Sequence, residues 1–299
     1  MLRIYLLLVF MLINNTTDCQ SLKWENHSGG QLANHTSPNS MFPHPQRTAG
    51  HTYRDSLYRF EEHYNDSSIA LFIPSGYRQT NSVDLVFYFH GWGNNIDKSI
   101  EKFRLLEQFT ASRKNAIFVF PEGPKNAPDS FGGKLEEADI FKGLVTEILN
   151  LLFLEGKITS KVPGKIVLAG HSGAYRVIST ILDRGGLSAT VREVYLFDAL
   201  YGNLEMYTVW LKQYDGRLVN IITPDGGTYD NSLVFLEDLA GLGLPFQKYI
   251  KNEISVVELT KARTISVFTT LGHSQVINPF FELLLSSSQL GDIDRQTRE

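Results

Sequence analysis

A serine hydroxyl becomes a useful nucleophile only when a neighbouring base takes its proton. The pentapeptide Gly170-His171-Ser172-Gly173-Ala174 is arranged to present one: it follows the apolar run Lys165–Ala169 and opens the amphipathic stretch Ala174–Asp183. A serine at such a strand-to-helix turn needs strained backbone angles and small neighbours. Gly170, Gly173 and Ala174 supply the small neighbours, with Ala174 standing where the pattern prefers glycine. The helix behind the turn adds unpaired N–H groups and a positive dipole end. A serine that merely caps a helix is disfavoured by this strand–turn–helix setting.

The nucleophile needs a base and the base needs an acid. His273, in Leu271-Gly272-His273-Ser274 after the last predicted strand, follows the serine and the aspartates in chain order. His63 precedes the first predicted strand, and His171 adjoins Ser172, so its side chain should point away; both are weaker bases. Asp198 directly ends the strand Val194–Phe197. A charge at the tip of a buried strand needs a partner, because unpaired burial is costly. Asp225, in Thr223-Pro-Asp-Gly-Gly-Thr228, is the alternative acid, although aspartate before glycines is also an ordinary turn former. Asp230 is a remoter choice, and Asp198 is favoured.

The elements that must position these groups alternate along the chain. Predicted strands are Ser68–Pro74, Val83–Phe89, Ala116–Phe120, Lys165–Ala169, Val194–Phe197, Leu218–Ile222 and Ile265–Phe268. Between and after them, apolar residues recur at helical spacing over Ile96–Ser112, Leu135–Leu154, Ala174–Asp183, Leu204–Tyr214, Leu233–Leu242 and Pro279–Leu285. Strands that read as near-continuous apolar runs are buried on both faces, as in a parallel sheet covered by helices. The expected fold is therefore α/β, a doubly wound, mostly parallel sheet with helices on both faces. One domain over 53–299 suffices, and no repeat is visible.

Three features together resemble the α/β-hydrolase superfamily: the Gly170–Ala174 elbow, His90-Gly91-Trp92-Gly93 after an apolar strand, and the late Gly272-His273. The resemblance runs from about Tyr53 to Leu285. Ile73-Pro-Ser-Gly-Tyr77 followed by His90-Gly91 is similar to secreted esterase-type members. The resemblance implies that His90–Gly93 is an oxyanion loop, with the backbone N–H groups of Trp92 and Gly173 facing the developing alkoxide. Such donors are worth about 3–4 kcal/mol each in the transition state. It also places the usual acid one strand later, at Asp225, while members with the acid at the Asp198 position exist. His90 reads as a residue that fixes the loop by hydrogen bonding, and with Gly91 it borders the expected substrate site. Asp129 and Ser130, in the loop Pro121–Gly133, lie at the carboxyl edge of the sheet where ligands bind, as does Tyr201; all three are substrate-contact candidates. Trp92 either stacks on substrate or packs.

Composition bounds the partners. The chain has 299 residues, 42% hydrophobic and 20% charged, with net charge −4. No basic surplus exists for phosphates, so nucleic acid is not an expected partner. Arg3 followed by the apolar run Ile4–Ile13 reads as an export signal, too short to span a bilayer. Residues 1–20 are thus expected to be a signal peptide of a secreted or periplasmic protein, with no membrane attachment in the mature form. Cys19, the sole cysteine, lies within that segment. Residues 21–52, rich in Asn, Ser, His, Pro and Gly, read as a flexible polar linker whose His27, His35, His44 and His51 are solvated. No metal or cofactor is expected.

The function expected from these residues is hydrolysis of a carboxylic ester, or less readily an amide, through an acyl-enzyme. The contrasting reading is a non-catalytic or cell-envelope carbohydrate-binding protein on the same fold. No long apolar insertion resembles a lid, which favours small-molecule or polymer-attached esters over long-chain lipids.

Overall fold

Residues 21–293 are described in the computed structural model. The expected signal segment at 1–20, Cys19 included, lies outside them. The described chain opens with the hairpin β1 (Glu25–His27) and β2 (Gly30–Thr36). A second hairpin, β3 (His51–Tyr53) and β4 (Ser56–Tyr58), stands apart from the main sheet and leads into the single turn α1 (Phe60–His63). Next come β5 (Ser68–Pro74), β6 (Val83–Phe89), α2 (Ile96–Phe103), α3 (Leu105–Ala111), β7 (Ile117–Pro121) and α4 (Ile140–Leu154). The elbow region follows as β8 (Pro163–His171) and α5 (Tyr175–Arg184), then β9 (Val191–Phe197) and α6 (Leu204–Gln213). The last part holds β10 (Arg217–Ile222), α7 (Tyr229–Gly241), β11 (Phe246–Ile250), α8 (Val256–Leu259), β12 (Thr264–Phe268) and α9 (Ile277–Ser286).

Ten strands form one sheet in the order β1-β2-β5-β7-β6-β8-β9-β10-β12-β11. Neighbours run parallel from β7 across to β11, whereas β1, β2 and β5 join antiparallel. Successive strand residues point to opposite faces, and the apolar runs fill both. Leu71, Phe87, Leu168, Leu196 and Leu218 pack with α4, α5, α6 and α7 through residues such as Leu144, Ile178, Trp210 and Phe235. Their neighbours Phe72, Val86, Val167, Tyr195 and Val219 pack on the other face with Phe103, Phe109, Leu259, Phe280 and Phe281 of α2, α3, α8 and α9. The doubly wound α/β architecture is therefore as expected.

Residues 21–52 are not a linker. Strand β2 pairs with β5 in unbroken register from Gly30↔Pro74 to Thr36↔Ser68, which makes it part of the main sheet. A strand near the sheet margin is held by its ladder and stays half exposed, so it carries no apolar run to announce it. Two of its four histidines are paired rather than freely solvated. His35 Nε2 meets Glu147 at 2.9 Å and His44 Nε2 meets Glu137 at 2.9 Å. Glu147 also accepts from Ser37 Oγ and Asn39 Nδ2, both at 2.7 Å, tying the segment to α4.

Two predicted helices are shorter or divided. Ile96–Ser112 breaks at Arg104, whose φ of 49° is left-handed, and Gln108 Nε2 caps the freed Phe103 carbonyl at 2.7 Å. The stretch from Leu135 begins as a 3-10 turn, and α4 starts only at Ile140, after Asp139 at φ 61°. Strand β11 was not foreseen: as the sheet's outer strand it has no buried residue, every position being partly or fully exposed, and so forms no apolar run.

Candidate active site

Strand registers bring the chemistry to one edge. His171, the last residue of β8, is paired with Phe197, the last of β9; Phe197 pairs with Ile221 of β10, and Ile222 with Phe268 of β12. The residues that follow these strand ends, Ser172, Asp198, Thr223 and Thr269, therefore emerge side by side. Ser172 has φ 55° and Asp198 φ 47°. Non-glycine residues pay a steric penalty in this region and persist there only when their surroundings enforce it. For Ser172 the enforcement includes close backbone contact. A Cβ added at Gly91 would stand 2.6 Å from Ser172 Cβ, so only glycine lets the 90–93 loop close on the elbow.

Asp198 is fully buried. Its carboxylate accepts from His273 Nδ1 at 2.6 Å, from the Thr223 amide at 3.3 Å, and from the hydroxyls of Thr223 and Thr228. Burial works to raise its pKa, but the bonds from His273, Thr223 and Thr228 together prevail and hold it below the usual carboxylate range. A Cβ at Gly226 would fall 1.4 Å from Asp198 Oδ2, so this turn admits no side chain beside the carboxylate.

Asp225, the alternative acid, does not meet the His273 ring in this arrangement. Its Oδ1 accepts the backbone N–H of His273 at 3.2 Å. His171 Nε2 donates to the His273 carbonyl at 2.9 Å, and the two imidazole rings lie 4.5 Å apart. His63 is occupied elsewhere, with Nδ1 on the Lys125 carbonyl at 2.7 Å.

The loop residues divide. Trp92, Ser130, Ser172, Gly173, Tyr175 and Tyr201 line one cleft of about 180 Å³. Trp92 Nε1 donates to Ser130 Oγ at 2.8 Å, and Tyr53 of β3 packs edge-on against Trp92 at 5.2 Å. Tyr201 donates to the Gly226 carbonyl; burial, and then the charge of Asp198, push its phenol up to about 12, with Ser172 pulling the other way.

His90 and Asp129, expected at the substrate site, are bound up behind it. His90 is buried, with Nδ1 on the Gly91 carbonyl at 2.7 Å and Nε2 on Glu122 at 2.9 Å. Glu122 also accepts from the Ile96 amide at 3.1 Å, so this pair locks the 90–93 loop to β7 and α2. Asp129 forms a buried ion pair with Arg47 at 2.7 Å and accepts from the Phe131 amide at 2.9 Å. Burial opposes its ionisation, yet Arg47 and the amide keep its pKa below the ordinary value.

Several of these partners were not singled out from the sequence. Glu122 directly follows an apolar strand and its Pro121. The demand for a partner that singled out Asp198 would have singled out Glu122 as well. Thr223 and Thr228 flank the Asp225-Gly-Gly turn and read only as turn residues. Arg47 gave no signal, because its segment looked like a linker.

No family model and no curated protein matches the chain. Solved structures do. A substrate-bound fluorophosphonate-binding serine hydrolase of Staphylococcus aureus aligns over 90% of this chain and 99% of its own, at 9% identity and a TM-score of 0.51. The feruloyl esterase module from Clostridium thermocellum, complexed with sinapinate, aligns over 89% of this chain and 96% of its own, at 16% identity and a TM-score of 0.50. An S-formylglutathione hydrolase from Staphylococcus aureus aligns over 89% and 99%, at 7% identity and a TM-score of 0.50. At these identities the likeness is one of fold, and that fold is the α/β-hydrolase fold.

Proposed function

We propose that this chain is a serine hydrolase that cleaves carboxylic esters through an acyl-enzyme. The observation that carries the reading is the junction of a strained Ser172 at the rim of a cleft with a buried Asp198 held to His273 Nδ1 at 2.6 Å. A carboxylate on Nδ1 leaves Nε2 as the basic nitrogen. His273 Nε2 then takes the Ser172 proton as the oxygen attacks the ester carbonyl. The amides of Trp92 and Gly173 hold the oxyanion, and the proton passes to the departing alcohol. Water, deprotonated by the same nitrogen, releases the acid and restores Ser172.

The small cleft, bordered by Trp92, Tyr175 and Tyr201, suits a short or flat acyl group on a soluble or polymer-attached ester. That one structural neighbour was solved with sinapinate adds an aromatic acid to the acyl groups worth trying. The test is labelling by a fluorophosphonate probe, expected for the intact protein and lost in Ser172→Ala. Folded protein that stays unlabelled would overturn the reading, and glycan binding that survives Ser172→Ala would favour the carbohydrate-binding alternative. In a series of chromogenic esters, short and aryl acyl groups should be the best substrates.

A further inference from the structure

His273 belongs to no strand or helix: it sits in a turn between β12 and α9. A catalytic base must be held to within about 0.5 Å of its productive position. One ring bond to Asp198 fixes the imidazole at a single point, and the backbone that carries it needs anchors of its own. Two side chains supply them. His171 Nε2 bonds the His273 carbonyl at 2.9 Å; a carbonyl only accepts, so that nitrogen carries the proton. Asp225 accepts the His273 N–H at 3.2 Å. With Nδ1 on Asp198, Nε2 is the one polar group of His273 left for a reaction.

We propose that His171 and Asp225 are positioning residues that grip the base residue by its backbone from both sides and thereby aim its Nε2 at Ser172. The proposal rests on the hydrolase reading above. His171 is the residue before the nucleophile, so the same two-residue stretch carries the attacking oxygen and steers its base. Elbow and base then move together. The ring of His171 is buried, tilted against that of His273 at 4.5 Å between centroids and edge-on to Phe103 at 5.6 Å. Burial, and next the charge of His273, push its pKa down to about 3; Lys102 acts in the same direction and Asp198 against it. It therefore remains neutral while the ring beside it takes a proton, and keeps its single donor on the carbonyl.

The test uses the full chain with His171→Phe, His171→Gln, Asp225→Ala, Asp225→Asn and the double variant His171→Phe/Asp225→Ala. His171→Phe keeps the ring and removes the donor. Displacing a reacting group by about 1 Å costs on the order of 100-fold, so kcat and the rate of fluorophosphonate labelling should fall about 10- to 100-fold with KM nearly constant. Asp225 is exposed, so its variants fold. Asp225→Ala should lower both rates by about tenfold on the same basis, while Asp225→Asn, which retains an acceptor oxygen, recovers most of the loss. His171→Gln, which can still donate, should recover part of the other loss. Because both grips act on one residue, the double variant should lose less than the product of the single losses. Wild-type labelling rates in Asp225→Ala overturn the proposal even if His171→Phe fails to fold, and so do multiplicative losses in the double variant. Absence of labelling in the unaltered protein would instead remove the hydrolase reading itself.

Discussion

Replacing Asp198 by asparagine changes one oxygen to an NH2 group at nearly constant shape, and the surroundings make the outcome specific. Oδ2 receives His273 Nδ1 at 2.6 Å together with the Thr223 hydroxyl, and Oδ1 receives the Thr223 amide at 3.3 Å and the Thr228 hydroxyl. An amide oxygen can keep the Oδ1 pair, because a backbone N–H cannot reverse. The NH2 is thereby driven onto the Oδ2 side, where a donor now faces the imidazole. His273 must turn its lone pair to Nδ1 and carry its proton on Nε2, the nitrogen that has to receive the serine proton. Forcing the wrong tautomer in a serine–histidine–aspartate site costs on the order of 10⁴-fold in kcat. At about 1.4 kcal/mol per factor of ten, that corresponds to about 5–6 kcal/mol of lost transition-state stabilisation. The assay is steady-state hydrolysis of a short chromogenic ester, with circular dichroism to verify the fold. Asp225→Asn run in parallel should lose less than about tenfold, because it touches only the backbone of His273. If Asp198→Asn keeps a tenth of the activity, or if Asp225→Asn proves the more damaging of the two, the assignment of the acid is wrong.

Other outcomes follow from the same geometry. His171, lowered from 6.5 to about 3, binds fewer protons folded than unfolded between those values, so its contribution to stability is complete above pH 6.5 and is lost as pH falls. At about 1.4 kcal/mol per pH unit the loss reaches up to about 5 kcal/mol. Glu147 and Asp198, whose pKa values are also lowered, add their losses only below about pH 5, so denaturant melts of His171→Phe should lose most of the slope between pH 6.5 and 5; an unchanged slope contradicts the shift. Arg47→Ala strands the buried carboxylate of Asp129 and should cost about 3–5 kcal/mol in a urea titration; a loss under about 1 kcal/mol would mean the pair is solvated like a surface one. Gly226→Ala places a methyl inside the Asp198 carboxylate and should both abolish ester turnover and destabilise by at least about 1–3 kcal/mol. Wild-type activity in that variant would show that the turn adjusts freely.

Legibility from sequence tracked the degree of burial. Val83–Phe89 and Lys165–Ala169 are largely apolar on both faces; the first strand appears with the expected bounds and the second is extended to Pro163–His171. The elbow was legible because strand, small residues and helix coincide around Ser172, and the contact of Asp198 with the His273 ring because a carboxylate ending β9 needed a partner. What escaped was held by ladders and side-chain bonds instead of apolar periodicity. Strands β2 and β11 contribute backbone pairing at or near the sheet margins, and Gly30–Thr36 carries only Leu32 and Ala33 as aliphatic residues. The roles of Asp225, His171 and Asp129 depend on which neighbour each one faces. For Asp225, a residue whose type is common in turns, the partner is a backbone amide 48 positions away, which no local pattern encodes.

The seam between β2 and β5 has a practical consequence for handling this protein. A truncation beginning at Tyr53, chosen to discard what looks like a tether, would strip two strands from the sheet and leave β5 as its rim. That rim would show the unpaired amides and carbonyls that now meet β2, carried on Ile69, Ala70, Leu71, Phe72 and Ile73. An uncovered, apolar strand of this kind recruits other chains. Shortened material should therefore be recovered as aggregate, and any trimming has to leave in place not only β1 and β2 but also Leu22 and Trp24, which bond Glu155 and pack on the core.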